Sequence, residues 1–421
     1  MSGKRPRVAM VTDAVAPFNR GGKEERYREL ARRLKDDADL HIYTMKWWSG
    51  PRTIEIESVP YHALTRLVPL YHGRRRSVLE AVAFALGCMR LLFVPFDVLE
   101  ADHMPYLQIF VLRAVTWLRR RPLVVTWHEA WDMGQWRRYL GLPGILAWGV
   151  ERLAMRLPDC ILSASEQTTE RLRAALGADA RIVTAPNAID LALIERVAPA
   201  PTKIDVVSVG RFLSHKRLDL ALDAVALLKH RGLAVTCLLV GDGPERESLR
   251  AQALALGIDD QVVIRSDISS QEELYGLVKA ARCFVFTSER EGFGIAALEA
   301  IACGTPVVTT TAHDNHAQFF VRRSARGHVC APTTEAIAAG ISATLDDEAR
   351  PGAHADESLL AGFDWSVTAA AVLRALEHPR RDGGAVHDED GKRRSSGAIV
   401  DVSPVLRAQT AAADPTLVTT R

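Results

Sequence analysis

The 421-residue chain has only six cysteines, Cys88, Cys160, Cys237, Cys283, Cys303 and Cys330. No two of them form a C-x-x-C pair, so neither a disulfide frame nor a zinc site is indicated. Several lie in apolar runs, the pattern of reduced, buried thiols in a cytoplasmic protein. A bilayer-spanning run is also missing: the longest apolar stretch, Ala81 to Phe96, is broken by Arg90 and Pro95 and is too short to cross. The N-terminus passes from Met1-Ser-Gly-Lys-Arg-Pro-Arg7 into a short strand without a signal-peptide core. No Asp-x-Asp stands at a strand end, and Asp388-Glu-Asp390 falls in a polar tail, where a solvated charge run is the better account. No essential metal and no cofactor are therefore expected.

The composition that is present, 48% apolar and 25% charged, is that of a globular protein rather than a disordered one. The length implies two domains. Net charge is only +2, but residues 1–200 hold 29 Lys and Arg against 22 Asp and Glu, and residues 201–421 hold 24 against 29. A basic first half suits an anionic acceptor or a membrane surface, although scattered solvated charge gives the same count.

Short apolar runs alternate with amphipathic stretches along both halves. Arg7-Val-Ala-Met-Val-Thr, Leu40-His-Ile-Tyr-Thr, Asp97-Val-Leu-Glu-Ala-Asp, Leu123-Val-Val-Thr-Trp and Asp159-Cys-Ile-Leu-Ser-Ala read as strands of the first half. The alternation restarts at Ile204-Asp-Val-Val-Ser-Val and continues through Thr305-Pro-Val-Val-Thr-Thr. This order predicts two α/β domains, each a parallel sheet with helices on both faces. The first domain is expected over 1–197, with its core closing near Asn187-Ala-Ile-Asp190, and Ala198-Pro-Ala-Pro-Thr-Lys203 is the best linker. The second is expected over 204–360, followed by a helix over 361–379 that packs back towards the first and a disordered tail over 380–421. Ser270-Gln-Glu-Glu273 has capping-box spacing. The region from Trp47 to Leu92, with Trp47, Trp48, Tyr61, Tyr71 and Arg74-Arg75-Arg76, is the least patterned.

The stretch Glu291-Gly-Phe-Gly-Ile-Ala-Ala-Leu-Glu299 joins a buried strand to a helix N-terminus, a usual ligand position in an α/β sheet. Two solvated acids at a turn explain this stretch equally well by itself. Three other features bear on it. Gly210-Arg211 ends one strand with Lys216 in the following loop, a cation pair suited to a diphosphate. Gly241-Asp-Gly-Pro ends the next strand, where glycines permit close approach, although it is not the G-x-G-x-x-G fingerprint. In the first half, Gly21-Gly22 opens a helix and His128 ends a strand. Surface charge is the better account of Arg211 or Lys216 alone, and a backbone-satisfied histidine is the better account of His128 alone. The joint placement of the two cations on neighbouring strand ends favours a phosphate site.

These marks, with Asn187-Ala-Ile-Asp190 and Ala302-Cys-Gly-Thr-Pro-Val-Val308, resemble the family 4 retaining glycosyltransferases over about Arg7 to Glu377. The resemblance implies a GT-B fold, two doubly wound Rossmann-like domains facing each other across a cleft. It implies transfer of a hexosyl or related sugar, with retention, from a nucleotide-diphosphate donor to a hydroxyl acceptor. Arg211 and Lys216 would bind the diphosphate, Glu291 the sugar hydroxyls and Glu299 the ribose. Backbone N–H groups of Gly292, Phe293, Gly294 and Ile295 would complete the grip. Gly21 and Gly22 would cover the phosphates, and His128 would lie near the transferred sugar; His128, Glu291, Arg211 and Lys216 form the expected catalytic set.

The segment Ala312-His-Asp-Asn-His-Ala-Gln-Phe-Phe320 departs from the family pattern, so contacts made from that loop do not transfer. Cell-surface polysaccharide or glycolipid synthesis is the expected setting, with a cytoplasmic enzyme peripheral at the inner membrane face and no nucleic-acid partner. Glycosylation of a small-molecule metabolite, a retaining glycoside phosphorylase and a nucleotide-sugar epimerase of the same fold stay open at this point. The donor sugar, base and acceptor are unread.

Overall fold

The computed structural model describes residues 5–19, 21–72, 75–346 and 357–380; the expected tail lies, from residue 381, outside them. Two compact units are present: residues up to Asn187 together with the segment from Trp365, and Ala188–Asp364.

The N-terminal unit carries strands β1 (Arg7–Val11), β2 (Asp39–Met45), β3 (Thr53–Ile56) and β4 (Val59–Thr65). A small hairpin of β5 (Tyr71–His72) and β6 (Arg75–Arg76) follows, then β7 (Val98–Asp102), β8 (Leu123–Trp127), β9 (Cys160–Ser163) and β10 (Ile182–Thr184). Its main sheet has the order β10-β9-β8-β7-β1-β2-β4-β3, parallel except for the antiparallel β3–β4 pair. Helices α1 (Gly22–Leu34), α2 (Val78–Cys88), α3 (Leu107–Arg119), α4 (Met133–Leu140), α5 (Gly144–Ala154) and α6 (Glu166–Leu176) cover it. Alternate residues of β1 enter opposite cores, Val8 and Met10 on one face, Ala9 and Val11 on the other. That is the period-two consequence of a sheet buried on both sides.

In the second unit α7 (Leu191–Arg196) precedes β11 (Ile204–Val209), α8 (Leu218–His230), β12 (Cys237–Val240), α9 (Arg246–Ala255), β13 (Val262–Arg265) and α10 (Gln271–Ala280). Next come β14 (Ala281–Phe286), β15 (Arg290–Glu291), α11 (Ile295–Ala302), β16 (Val307–Thr310), β17 (Asp314–Asn315) and α12 (Gln318–Arg323). The unit ends with β18 (His328–Cys330), α13 (Thr334–Asp346) and α14 (Glu357–Leu360). Its main sheet is parallel throughout, in the order β13-β12-β11-β14-β16-β18.

One boundary differs from expectation. Residues 188–197 belong to the second unit rather than the first, because Lys279 Nζ donates to Val197 O at 2.8 Å and Ala200 N to Gly276 O at 2.8 Å. Those bonds hold the proline segment against α10. The final helix, α15 (Trp365–Glu377), joins the N-terminal core through Ala369, Ala371, Val372, Ala375 and Leu376. Thr368 Oγ1 also donates to Pro186 O at 3.0 Å. The capping pattern at α10 is half formed: Glu273 N donates to Ser270 Oγ at 3.1 Å. The Glu273 carboxylate instead accepts from Arg265 at 2.8 Å and from Ser269 N at 3.4 Å.

Candidate functional site

In the second unit the chain runs from β11 outward to β13, then returns to β14 on the other side of β11. The carboxyl ends of β11 and β14 therefore flank the topological switch point, where open α/β sheets hold ligands. Gly210-Arg211 follows β11, and a 3₁₀ turn, Ser214–Lys216, bends the chain back over the strand ends. Thr287 Oγ1 donates to Lys216 O at 2.9 Å and Glu289 N to His215 O at 2.8 Å, which fastens this turn to the segment after β14. The fastening brings the Lys216 ammonium onto Glu291, to which it donates, and places it over the Phe286 ring, 5.4 Å from the centroid. The Arg211 carbonyl accepts from Leu213 N at 2.9 Å, while its side chain is exposed.

The electrostatics of this corner register in His215. Burial, with the cations of Arg290, Lys216 and Arg211, pushes its imidazole down to about 4, against the opposing pull of Glu291. A neutral histidine ringed by three cations marks a positive pole suited to a diphosphate.

Glu299 lies in α11, which starts at Ile295, so it sits about one turn into the helix. It accepts from Tyr275 Oη at 2.9 Å, a partner the sequence did not single out. Gly294 caps α11 with φ +90°, and a Cβ there would meet Ala317 Cβ at 2.6 Å; both requirements select glycine. Ala297 N and Leu298 N donate to the Gly294 carbonyl at 3.0 and 3.1 Å, which leaves the amides of Ile295 and Ala296, at the very start of α11, without an intrahelical acceptor. The Phe293 side chain is buried edge-on against Phe320 and Phe363, at centroid distances of 5.0 and 5.9 Å. Only the backbone of Phe293 is thus free for a ligand, while its ring anchors the turn. Gly292 and Ile295 are half-buried beside it.

The segment that departs from the family pattern supports this edge. Its β17 pairs with β15, Glu291 opposite Asn315, and His316 N donates to Glu291 O at 3.0 Å. Asn315 is fully buried and donates to Thr309 Oγ1 at 2.9 Å and to Thr310 O at 3.2 Å. The loop thus fixes the backbone that carries Glu291.

The N-terminal unit has its own switch point, between β1 and β7. Asp13 follows β1, Asp102 ends β7 and Lys23 stands in the first turn of α1. Lys23 donates to Asp13 and lies 3.4 Å from Asp102 Oδ2; Arg76 donates to Asp13 as well. His103 Nδ1 lies 3.2 Å from Asp102 Oδ1, and His128 Nε2 lies 3.6 Å from Asp102 Oδ2. Burial raises the Asp102 carboxyl, but the nearby Lys23 ammonium prevails and holds it well below the usual carboxylate range. Burial lowers the His128 imidazole against the pull of Asp102.

One oxygen of Asp102 and one ring nitrogen of each histidine are buried without a hydrogen-bond partner. Ligand atoms of these three residues lie within 4.8 Å of one another. The Lys23 ammonium already supplies the positive charge that a metal would bring there. Gly21 and Gly22 open α1 beside Lys23; Gly21 is extended, and a Cβ on Gly22 would meet nothing within 4 Å. No chain strain demands glycine at either position. Asp13, Lys23, Asp102 and His103 were not picked out from sequence. The available signal was a pair of carboxylates, Glu100 and Asp102, inside an otherwise apolar strand.

Comparison with known proteins decides the family. A model described as "Glycosyltransferase Family 4" matches residues 20–193, and one described as "Glycosyl transferases group 1" matches residues 192–357. The chain belongs to glycosyltransferase family 4.

Among curated relatives of this family 4 chain is a GDP-mannose-dependent alpha-(1-6)-phosphatidylinositol dimannoside mannosyltransferase of Mycobacterium tuberculosis. It is 29% identical over 46% of the chain and 51% of the relative, so the match spans about half that relative's length. A GDP-mannose:cellobiosyl-diphosphopolyprenol alpha-mannosyltransferase of Komagataeibacter xylinus is 29% identical over 70% of each chain. Among solved structures, a sucrose-phosphate synthase of Thermosynechococcus elongatus has a TM-score of 0.73 at 21% identity, covering 89% of this chain and 99% of that one. A trehalose-6-phosphate synthase has a TM-score of 0.68 at 14% identity over 88% and 99%. The architecture of this family 4 chain, two Rossmann-like domains, is therefore that of the GT-B glycosyltransferases.

Proposed function

We propose that the protein is a retaining glycosyltransferase that moves a sugar from a nucleotide diphosphate to a hydroxyl acceptor. The observation that carries this reading is the positive pole at the β11/β14 switch point, with Arg211, Lys216 and Arg290 around His215 and Glu291 beside it. During transfer the bond from the anomeric carbon to the diphosphate oxygen breaks, and negative charge gathers on the leaving phosphate. Fixed cations and the first amides of α11 stabilise that charge, each donor commonly contributing ~3–4 kcal/mol. Glu291 orients the sugar by accepting hydrogen bonds from its hydroxyls, and Glu299 does the same for the ribose. The new bond to the acceptor oxygen forms on the face the diphosphate leaves, and a donor phosphate oxygen takes the acceptor proton. Two carboxylates in this role bind and orient; they need not be the acid–base pair of a hydrolase. His128 near the transferred sugar and Gly21-Gly22 near the phosphates are assigned by the family resemblance. No metal is required in this scheme.

The relatives guide the choice of substrates. GDP-mannose is named as donor for two of them, and one acts on a diphosphopolyprenol-linked acceptor. The basic first half fits such an acceptor, so we assign a lipid-linked or polysaccharide acceptor and peripheral contact with a membrane. A thermal-shift screen against nucleotide sugars, GDP-mannose first, tests the donor half of the proposal; a donor at a hundred times its Kd adds about 2.7 kcal/mol to stability. Release of the nucleoside diphosphate with a labelled lipid-linked acceptor tests the rest. Glu299→Ala should abolish that release with the fold intact. The reading fails if no nucleotide sugar stabilises the chain, or if Glu299→Ala turns over normally.

A further inference from the structure

Sixteen of the nineteen large apolar side chains that stand exposed among the described residues belong to the N-terminal unit. Five recur at three- or four-residue steps: Leu79, Val82, Leu86, Met89 and Phe93, exposed by 71, 42, 60, 50 and 88%. They run along α2 and the 3₁₀ turn Met89–Phe93 that continues it, so they form one ridge. The opposite face, Phe84, Ala85, Cys88 and Leu91, is buried in the core. The segment's one carboxylate, Glu80, is buried too, so the ridge carries no negative charge.

Beside the ridge lies a cavity of about 690 Å³, lined by Lys46, Arg52, Arg66 and Arg90 and closed on one side by Leu86. It stands past the carboxyl ends of β2 and β4, and α2 approaches so closely that a Cβ on Gly87 would collide with Thr65. Lys46 and Arg90 donate to the backbone carbonyls of Gly50 and Leu64, which orients them without cancelling their charge. Arg52 and Arg66 are exposed. No ion pair joins any of the four to a carboxylate among the described residues, and no acid lines the cavity. A concentration of uncompensated cations next to an acid-free apolar ridge matches the boundary of an anionic bilayer, with phosphate outermost and acyl chains beneath.

We propose that this face docks on an anionic phospholipid surface. A lipid headgroup phosphate sits among Lys46, Arg52, Arg66 and Arg90, while Leu86, Met89 and Phe93 enter the acyl boundary. The proposal deepens the membrane part of the function above, but its test uses no catalysis. Exposed apolar side chains also stand on α3 (Trp117, Leu118) and on α5 (Ile145, Leu146, Leu153); α2 is chosen because its Leu86 shares a cavity with four cations.

The test is sedimentation of the full chain with vesicles of phosphatidylcholine alone or containing one-third phosphatidylglycerol. Binding should require phosphatidylglycerol and weaken with salt. Near an anionic surface each basic residue contributes about fivefold, so Arg52→Ala with Arg66→Ala should lower binding about thirtyfold. Leu86→Ser, Met89→Ser and Phe93→Ser together should lower it at least tenfold. All five positions are outside the donor site, and thermal melts of the variants check their folding. Unchanged vesicle binding in either variant set overturns the proposal. So does calorimetric binding of inorganic phosphate or glycerol phosphate that depends on Arg52 and Arg66 while vesicles stay unbound, since the cavity would then serve a soluble anion. Lys216→Ala should keep vesicle binding. If vesicles bind as stated but no nucleotide sugar is ever turned over, the functional reading fails and the docking face stands.

Discussion

Lys216 and Glu291 were expected to hold different parts of a donor, and the structure makes them partners. The pairing keeps the ammonium aimed at the strand ends and gives it an alternative to solvent. Lys216→Ala therefore removes a phosphate contact and frees Glu291 to repel the diphosphate. Donor affinity should fall by about 2 kcal/mol or more, roughly thirtyfold, as measured by calorimetry; near-equal affinity would count against the clamp.

His215 reports on the same pole. Its folded value of about 4 lies below the ordinary 6.5, so the unfolded chain binds more protons between those values. The histidine's contribution to stability is complete above about pH 6.5 and is lost as pH falls towards 4. A bound nucleoside diphosphate would offset the surrounding cations. The His215 titration followed by NMR should move upward when the nucleotide is added; no movement would place the diphosphate elsewhere.

At the scale of the element, the strand-to-helix turn at Gly294 combines a left-handed backbone with close approach to Ala317. Gly294→Ala should lower stability by about 2 kcal/mol or more from those two causes. Since α11 carries Glu299, donor binding should weaken with it. Strand β7 offers a second case. Burial pushes Glu100 up to about 7, although hydrogen bonds from Thr126 at 2.6 Å and Tyr27 at 2.9 Å pull the other way. The folded chain thus holds this proton between about pH 4.5 and 7 while the unfolded chain has released it. The Glu100 contribution is fully present below 4.5 and falls as pH rises through 7. Glu100→Gln, which cannot ionise, should flatten that fall in urea melts from pH 5 to 8. An unaltered pH slope would show that Glu100 ionises without cost in the folded state.

At the scale of the molecule, α15 belongs to the core of the N-terminal unit although it comes last among the described elements. Val372 and Leu376 are essentially fully buried there, and burial of such side chains stabilises by roughly 1.5–3 kcal/mol each. A chain ended after Asp364 should expose that face of the sheet. The N-terminal unit should then become the first site of limited proteolysis; equal resistance would mean α15 is dispensable to it.

Much of this was legible in the residues. Alternating apolar runs and helical periods were enough for two parallel α/β domains, because a strand buried on both faces reads as a continuous apolar run whatever its neighbours. The order Gly210-Arg211, Lys216, Gly241-Asp-Gly, Glu291 and Glu299 was enough to place these residues at or just after strand ends of one sheet, where a switch-point site is built; their donor roles belong to the proposal. The β3–β4 hairpin was missed within the weakly patterned stretch after Trp47: β3 is only four residues long and alternates between exposed and half-buried positions, as an edge strand does. Only the tertiary structure joined Asp13, Lys23, Asp102, His103 and His128, since no local pattern relates residues brought together by four separate sheet and helix ends. It alone also paired Lys216 with Glu291 and set the acid-free ridge of α2 beside four cations. Such encounters depend on which strands neighbour one another, and that is decided by packing of the whole sheet.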